Sequence, residues 1–140
     1  MLSKNIFLEV EVSGPGLYEI TDEVVQRLDP LEIESGLLTL FIRHTSASLI
    51  IQENADPSAK RDLESWLDRL VPENDELFTH IAEGADDMPA HIKSMLTSVS
   101  LPIPIADGRP VLGVWQGIFL WEHRNAETAR RVVLNILGTS

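Results

Sequence analysis

Two helix starts built around proline, Asp56-Pro57 and Asp87-Met88-Pro89, sit between β-patterned ends and restrict this chain to an α+β architecture. Proline at the first helical position costs no hydrogen bond, and the aspartate before it caps the free backbone N–H groups. After the first start, Leu63, Trp66, Leu67 and Leu70 fall at i, i+3, i+4 and i+7, which predicts one buried face ending at Pro72. After the second, Ile92, Met95, Leu96 and Val99 form the expected buried stripe. The segment from Glu73 to Asp87 between them is too acidic for a core.

On the N-terminal side, residues 5–12 alternate, with Ile6, Leu8, Val10 and Val12 on one face, as a half-buried strand requires. Gly14-Pro15-Gly16 marks a turn, and Thr21 or Asp22 is a cap for a short helix to Leu28, stopped by Asp29-Pro30. Leu37–Arg43 reads as a central strand, with Leu49–Gln52 as its neighbour. On the C-terminal side, Leu101, Ile103 and Ile105 alternate with Pro102 and Pro104, which suits an edge strand. Asp107-Gly108 signals a hairpin, with a return strand over Val111–Trp121 and a last strand over Arg131–Leu137. Strands flanking a helical middle predict one α+β domain over residues 1–140, with a largely antiparallel sheet.

The absence of cysteine excludes disulfides and thiolate chemistry, so any metal site must use His, Asp, Glu and water. A formal net charge of −11 repels phosphate backbones, so neither nucleic acid nor an anionic membrane is an expected partner. No apolar run approaches the roughly 20 residues of a membrane span, and Met1 to Asn5 lacks a signal-peptide pattern. A cytoplasmic protein is expected.

Polar chemistry concentrates at the histidines. His44 follows a buried strand where the chain turns, and His80, Glu83, Asp86, Asp87 and His91 crowd into twelve positions. Imidazole with carboxylate suits Zn²⁺, Mn²⁺ or a similar divalent ion, although the spacing matches no standard zinc motif and solvated surface is the plainer alternative. Asp87 is the expected helix cap, placing His91 near the positive end of the helix dipole, where the neutral, metal-binding form is favoured. Ser46 beside His44 offers a hydroxyl for substrate or for local backbone. Asn54 either turns the chain or lends a hydrogen bond to the same mouth. The glycines of Gly113-Val114-Trp115-Gln116-Gly117 fit a close-packed ligand, a second subunit or a simple bulge. Arg124, in Glu122-His123-Arg124, is either a phosphate clamp or a surface ion pair.

Taken in order, His44-Thr45-Ser46-Ala47, Glu53-Asn54, His80-x-x-Glu83-Gly84-x-Asp86-Asp87-Met88-Pro89-Ala90-His91-Ile92-Lys93 and Gly113-x-Trp115-Gln116-Gly117-Ile118 resemble the YjbQ-like family through nearly the whole chain. Its members are often labelled secondary thiamine-phosphate synthase. The resemblance implies a compact sandwich, a homotrimer with sites near subunit boundaries, and the joining of a pyrimidine diphosphate to a thiazole phosphate. It places His44, His80 and His91 at family histidine positions, expected here as metal ligands. Glu83, Asp87, Trp115, Gln116 and Arg124 also fall on motif positions. His44, Glu83 and Asp87 are then expected as catalytic groups, and Ser46, Asn54, Trp115, Gln116 and Arg124 as substrate contacts. The implied cofactor is a divalent metal ion, Zn or Mg/Mn, and the implied partner a small phosphorylated substrate. A metal-dependent hydrolase and a non-catalytic metabolite-binding trimer remain the alternatives.

Overall fold

The computed structural model describes residues 1–140 and contains eight strands and three α-helices. In chain order they are β1 (Leu2–Ser13), β2 (Gly16–Glu19), α1 (Thr21–Leu28), β3 (Ser35–Ile42), β4 (Ala47–Glu53), α2 (Pro57–Leu70), α3 (Asp87–Leu96), β5 (Ser100–Ala106), β6 (Arg109–Pro110), β7 (Gln116–Glu122) and β8 (Glu127–Thr139). All pairings are antiparallel, and they build a five-stranded sheet, β1-β8-β3-β5-β6, and a three-stranded sheet, β2-β7-β4. Strand alternation explains the core between them. Leu8 and Val12 from β1, Leu38, Leu40 and Ile42 from β3, and Val132, Leu134 and Ile136 from β8 meet Leu49, Ile118 and Leu120 of the smaller sheet. The other face of the smaller sheet presents Leu17, Phe119 and Trp121 to Leu67 of α2. β7 is therefore buried on both faces.

The expected alternation of β1 and β5 is present, with Pro102 and Pro104 exposed on a strand whose far side is covered only by two-residue β6. The Asp107-Gly108 hairpin is also present, both residues at positive φ. Its return strand is the first correction. β6 ends at Pro110, and the chain then crosses to the other sheet, where β7 pairs with β2 and β4 rather than with β5. A second correction concerns β4, which follows β3 in sequence but lies in the opposite sheet, because the chain changes layers through His44-Thr45-Ser46.

The helix stripes also differ from expectation. Asp56 caps α2 as read, its carboxylate accepting from the Ser58 N–H. On that helix Leu67 is buried, but Trp66 and Leu70 are exposed. On α3 the buried side is the small one: Pro89, Ala90 and Ser94 pack inward, Ser94 Oγ donating to the Ala47 carbonyl at 3.2 Å, while Met95, Leu96 and nearby Val99 are exposed. The cap position of α3 falls to Asp86, so Asp87 is the first helical residue. Gly117 has a packing reason of its own: a Cβ there would lie 2.7 Å from Glu19 Oε2 and 2.9 Å from Asn54 Cβ. No helix is long and apolar enough to cross a membrane.

Leu40 is fully buried between the sheets, so Leu40→Ala should cost about 3 kcal/mol of unfolding free energy. Leu77→Ala, at an exposed position, should stay within about 0.5 kcal/mol. Urea denaturation midpoints would check the contrast, and equal losses at both positions would contradict the core assignment.

Candidate functional site

Asp87 and His91 lie one helical turn apart on α3, so their side chains share a face. The loop before α3 brings His80 to the same place. His80 Nε2 lies 2.9 Å and His91 Nε2 3.4 Å from a single atom, Asp87 Oδ2. The two rings meet edge-on, with centroids 5.4 Å apart. Although these contacts are short, Oδ2 is buried and receives no aligned hydrogen bond. A buried carboxylate oxygen without a hydrogen-bond partner is uncommon in folded proteins.

The rest of the carboxylate is held firmly. Arg124 donates through Nη1 to Asp87 Oδ1 at 2.6 Å, through Nε to Asp86 Oδ2 at 3.0 Å and through Nη2 to the Glu83 carbonyl at 2.8 Å. The Asp86 hydrogen bond raises the Arg124 pKa further. Partial burial alone would raise the Asp86 carboxyl, but the Asn125 N–H and Arg124 outweigh it and hold it below the usual carboxylate range. Arg124 thus orients Asp87 with all three of its guanidinium nitrogens engaged.

Behind Arg124 lies a buried ion pair. Glu122, at the end of β7, is fully buried and accepts from Arg130 Nε and Nη2, each at 2.5 Å, while its Oε2 also accepts from the Arg124 N–H at 2.9 Å. Arg130 stands on β8, so the pair spans the two sheets. Arg130 Nη2 also donates to Ser46 Oγ at 3.0 Å, and its Nη1 lies 3.3 Å from His44 Nδ1. The Arg131 N–H donates to His44 Nε2 at 2.9 Å. Desolvation, reinforced by Arg130, lowers the pKa of His44.

The family model described as UPF0047 protein YjbQ-like matches residues 7–139. This chain belongs to the YjbQ-like family. It is similar to UPF0047 protein sll1880 of Synechocystis, with 47% identity over 131 residues, 94% of this chain and 89% of that protein. The YjbQ protein of Escherichia coli O157:H7 is 42% identical over 132 residues, covering 94% of this chain and 95% of its own. Two solved structures share the fold. One from Clostridium acetobutylicum has a TM-score of 0.86 at 33% identity, over 94% of this chain and 99% of its own. One from Thermus thermophilus has a TM-score of 0.85 at 36% identity, again over 94% and 99%.

On this YjbQ-like frame the sequence-derived residues divide into three places. His80, Asp87 and His91 converge with Arg124. His44 and Ser46 instead gather around Arg130; within the chain His44 is not part of the group that could hold a metal, and Asp87 is the third donor there. Glu83 joins through its backbone carbonyl. Asn54, Trp115 and Gln116 lie at the far end of the β4–β7 pair, where Glu53 faces Gln116, roughly 20 Å along the strands from the Ala47–Glu122 end. There Asn54 donates to Glu19, its N–H donates to the Trp115 carbonyl, and the Gln116 side chain accepts from the Gly113 N–H.

Sequence reading assigns no role to Arg130 or Ser48, and the expectation that His123, beside Glu122, is a surface histidine is corrected, since His123 and Glu122 are both buried. Ser48 Oγ and His123 Nε2 are 2.9 Å apart in the interior, and His123 Nδ1 has no partner. Burial, with Lys93 and Arg130 adding to it, pushes the His123 pKa from 6.5 down to about 3. A histidine depressed on folding contributes its full stability above its unfolded pKa and loses it as pH falls from there toward the folded value. Wild type should therefore lose about 2 kcal/mol between pH 7 and pH 5 that a His123→Gln variant does not lose. Urea unfolding at the two pH values would measure the difference, and parallel losses would contradict a neutral, buried His123.

Proposed function

We propose that this protein is a metal-assisted enzyme acting on a small phosphorylated substrate. The YjbQ-like resemblance gives the reading its concrete form, a secondary thiamine-phosphate synthase that joins a pyrimidine diphosphate to a thiazole phosphate and releases pyrophosphate. The observation that carries the metal is the convergence of two imidazole nitrogens on a buried carboxylate oxygen lacking a hydrogen bond. Two histidines and a carboxylate form a donor set that divalent zinc or manganese accepts, and the three ligand atoms lie within 4.8 Å of one another. Three protein ligands leave further coordination for substrate, the pattern of catalytic rather than structural sites.

His80, Asp87 and His91 would hold the ion, and Arg124, bound to Oδ1, would keep the Asp87 carboxylate aimed. A divalent ion at this position supplies positive charge to phosphate oxygens as a leaving group departs. Glu83, exposed in the loop beside the triad, is the group available to carry a proton at the mouth. One observation favours a second reading. With every Arg124 nitrogen engaged, few free cations face the triad, which suits hydrolysis of a monophosphate better than binding of a diphosphate. We also propose the homotrimer, supported by the exposed Trp66, Leu70, Met95 and Leu96, which a subunit boundary would cover.

Elemental analysis of untagged protein should find about one divalent ion per subunit, lost in a His80→Ala, His91→Ala double variant. Removing the ion with a chelator should abolish formation of thiamine phosphate from the two precursors. Undiminished turnover after chelation would contradict the reading, and turnover of simple phosphomonoesters alone would shift it to the hydrolase.

A further inference from the structure

The polar groups around His44 do not satisfy one another. Nε2 accepts the Arg131 N–H, a backbone group that can only donate, so the neutral ring must carry its proton on Nδ1. Adding a second proton would set an N–H against that same backbone N–H, in keeping with the lowered pKa of His44. Yet Nδ1 faces Arg130 Nη1 at 3.3 Å, and a guanidinium nitrogen is also purely a donor. Two donors at this separation repel unless an acceptor lies against both.

Arg130 has no freedom to turn away. Its Nε and Nη2 are bound to Glu122 and Ser46, and the residue is 8% exposed. Nη1 is the one guanidinium nitrogen left without an acceptor. Ser46 Oγ spends a lone pair on Arg130 Nη2, which leaves its O–H to donate. His44 and Ser46, with Arg43 and Thr45, line an open groove of about 560 Å³ whose other wall includes Phe41 and Val99. In a chain of net charge −11, this corner holds Arg43, Arg130 and Arg131 against Glu122 and against Glu9, which pairs with Arg131 at 3.6 Å.

We infer that this corner is a phosphate subsite, in which His44 Nδ1–H, Arg130 Nη1–H and the Ser46 hydroxyl donate to one oxyanion while Arg43 supplies charge at the rim. Three fixed donors around a cationic centre match a phosphate, which presents several acceptor oxygens, better than a singly charged carboxylate. The exposed Phe41 and Val99 give an apolar wall beside it, so the ligand class is a phosphate ester carrying a small apolar group. This gives His44 an anion-binding role and stands apart from the metal reading, since none of its groups belongs to the His80–Asp87–His91 triad.

The test uses intact, metal-free protein with inorganic phosphate as the probe and acetate at equal ionic strength as the control. Imidazole ¹⁵N NMR should find the His44 proton on Nδ1, and phosphate addition should shift that resonance saturably. Calorimetry should give affinity weakened about tenfold or more by Ser46→Ala and by Arg43→Gln, and unchanged by His80→Ala. Both affected positions lie on the groove wall; Ser46→Ala also removes one acceptor from Arg130 Nη2, which keeps Glu122, while Arg43→Gln leaves the hydrogen bonds of Arg130 intact. A proton on Nε2, no saturable binding, acetate binding as tightly as phosphate, or affinity indifferent to Ser46→Ala and Arg43→Gln would each overturn the subsite. Loss of metal content in His80→Ala would be unaffected by any of these, so the two readings fail separately.

Discussion

Glu122 and Arg130 are the pair on which the rest of the site rests. A charge buried without its counterion costs roughly 3–5 kcal/mol, so neither can stay inside unless the fold delivers the other. Here β7 and β8 belong to different sheets, and packing the sheets together is what closes the pair. Glu122 then receives the Arg124 N–H, Arg124 grips Asp86 and Asp87, and Asp87 turns one oxygen toward His80 and His91. In the other direction Arg130 reaches Ser46 and His44. One ion pair thus fixes the triad on one side and the groove on the other.

Much of the triad was legible because it obeys local rules. Asp87 and His91 share a helix face by their spacing of four, and His80 sits in the loop that feeds that helix. The separation of His44 from them was not legible. It depends on the chain changing sheets at Thr45 and Ser46, and nothing in that tripeptide says which sheet Ala47 will join. Arg130 carried a usable signal: it alternates with Val132, Leu134 and Ile136, the inward face of β8, and an arginine on an inward face demands a buried acid. Glu122 carried no such signal, since its burial follows from pairing with Ala47 and with Gly16 across β7.

The helices misled for a different reason. Apolar residues at i, i+3, i+4 and i+7 predict a covered stripe, but not that the cover comes from the same chain. Within one chain α3 packs through Ala90 and Ser94, whose small side chains let the helix sit against β4. That close approach places buried Asp87 beside Arg124 and leaves Met95 and Leu96 facing outward. The return strand after the hairpin was misplaced because periodicity identifies a strand without naming its partner. Val111 to Trp115 serve as the crossing between sheets, and the strand proper starts at Gln116.

The central claim is that His80, Asp87 and His91, rather than His44, form the metal seat of this YjbQ-like protein. Anomalous diffraction from crystals grown with Zn²⁺ tests it most directly. The expected result is one strong peak about 2.0–2.2 Å from His80 Nε2, Asp87 Oδ2 and His91 Nε2, with Arg124 still on Oδ1. A peak bonded to His44, or crystals with no ordered ion at the triad, would contradict it.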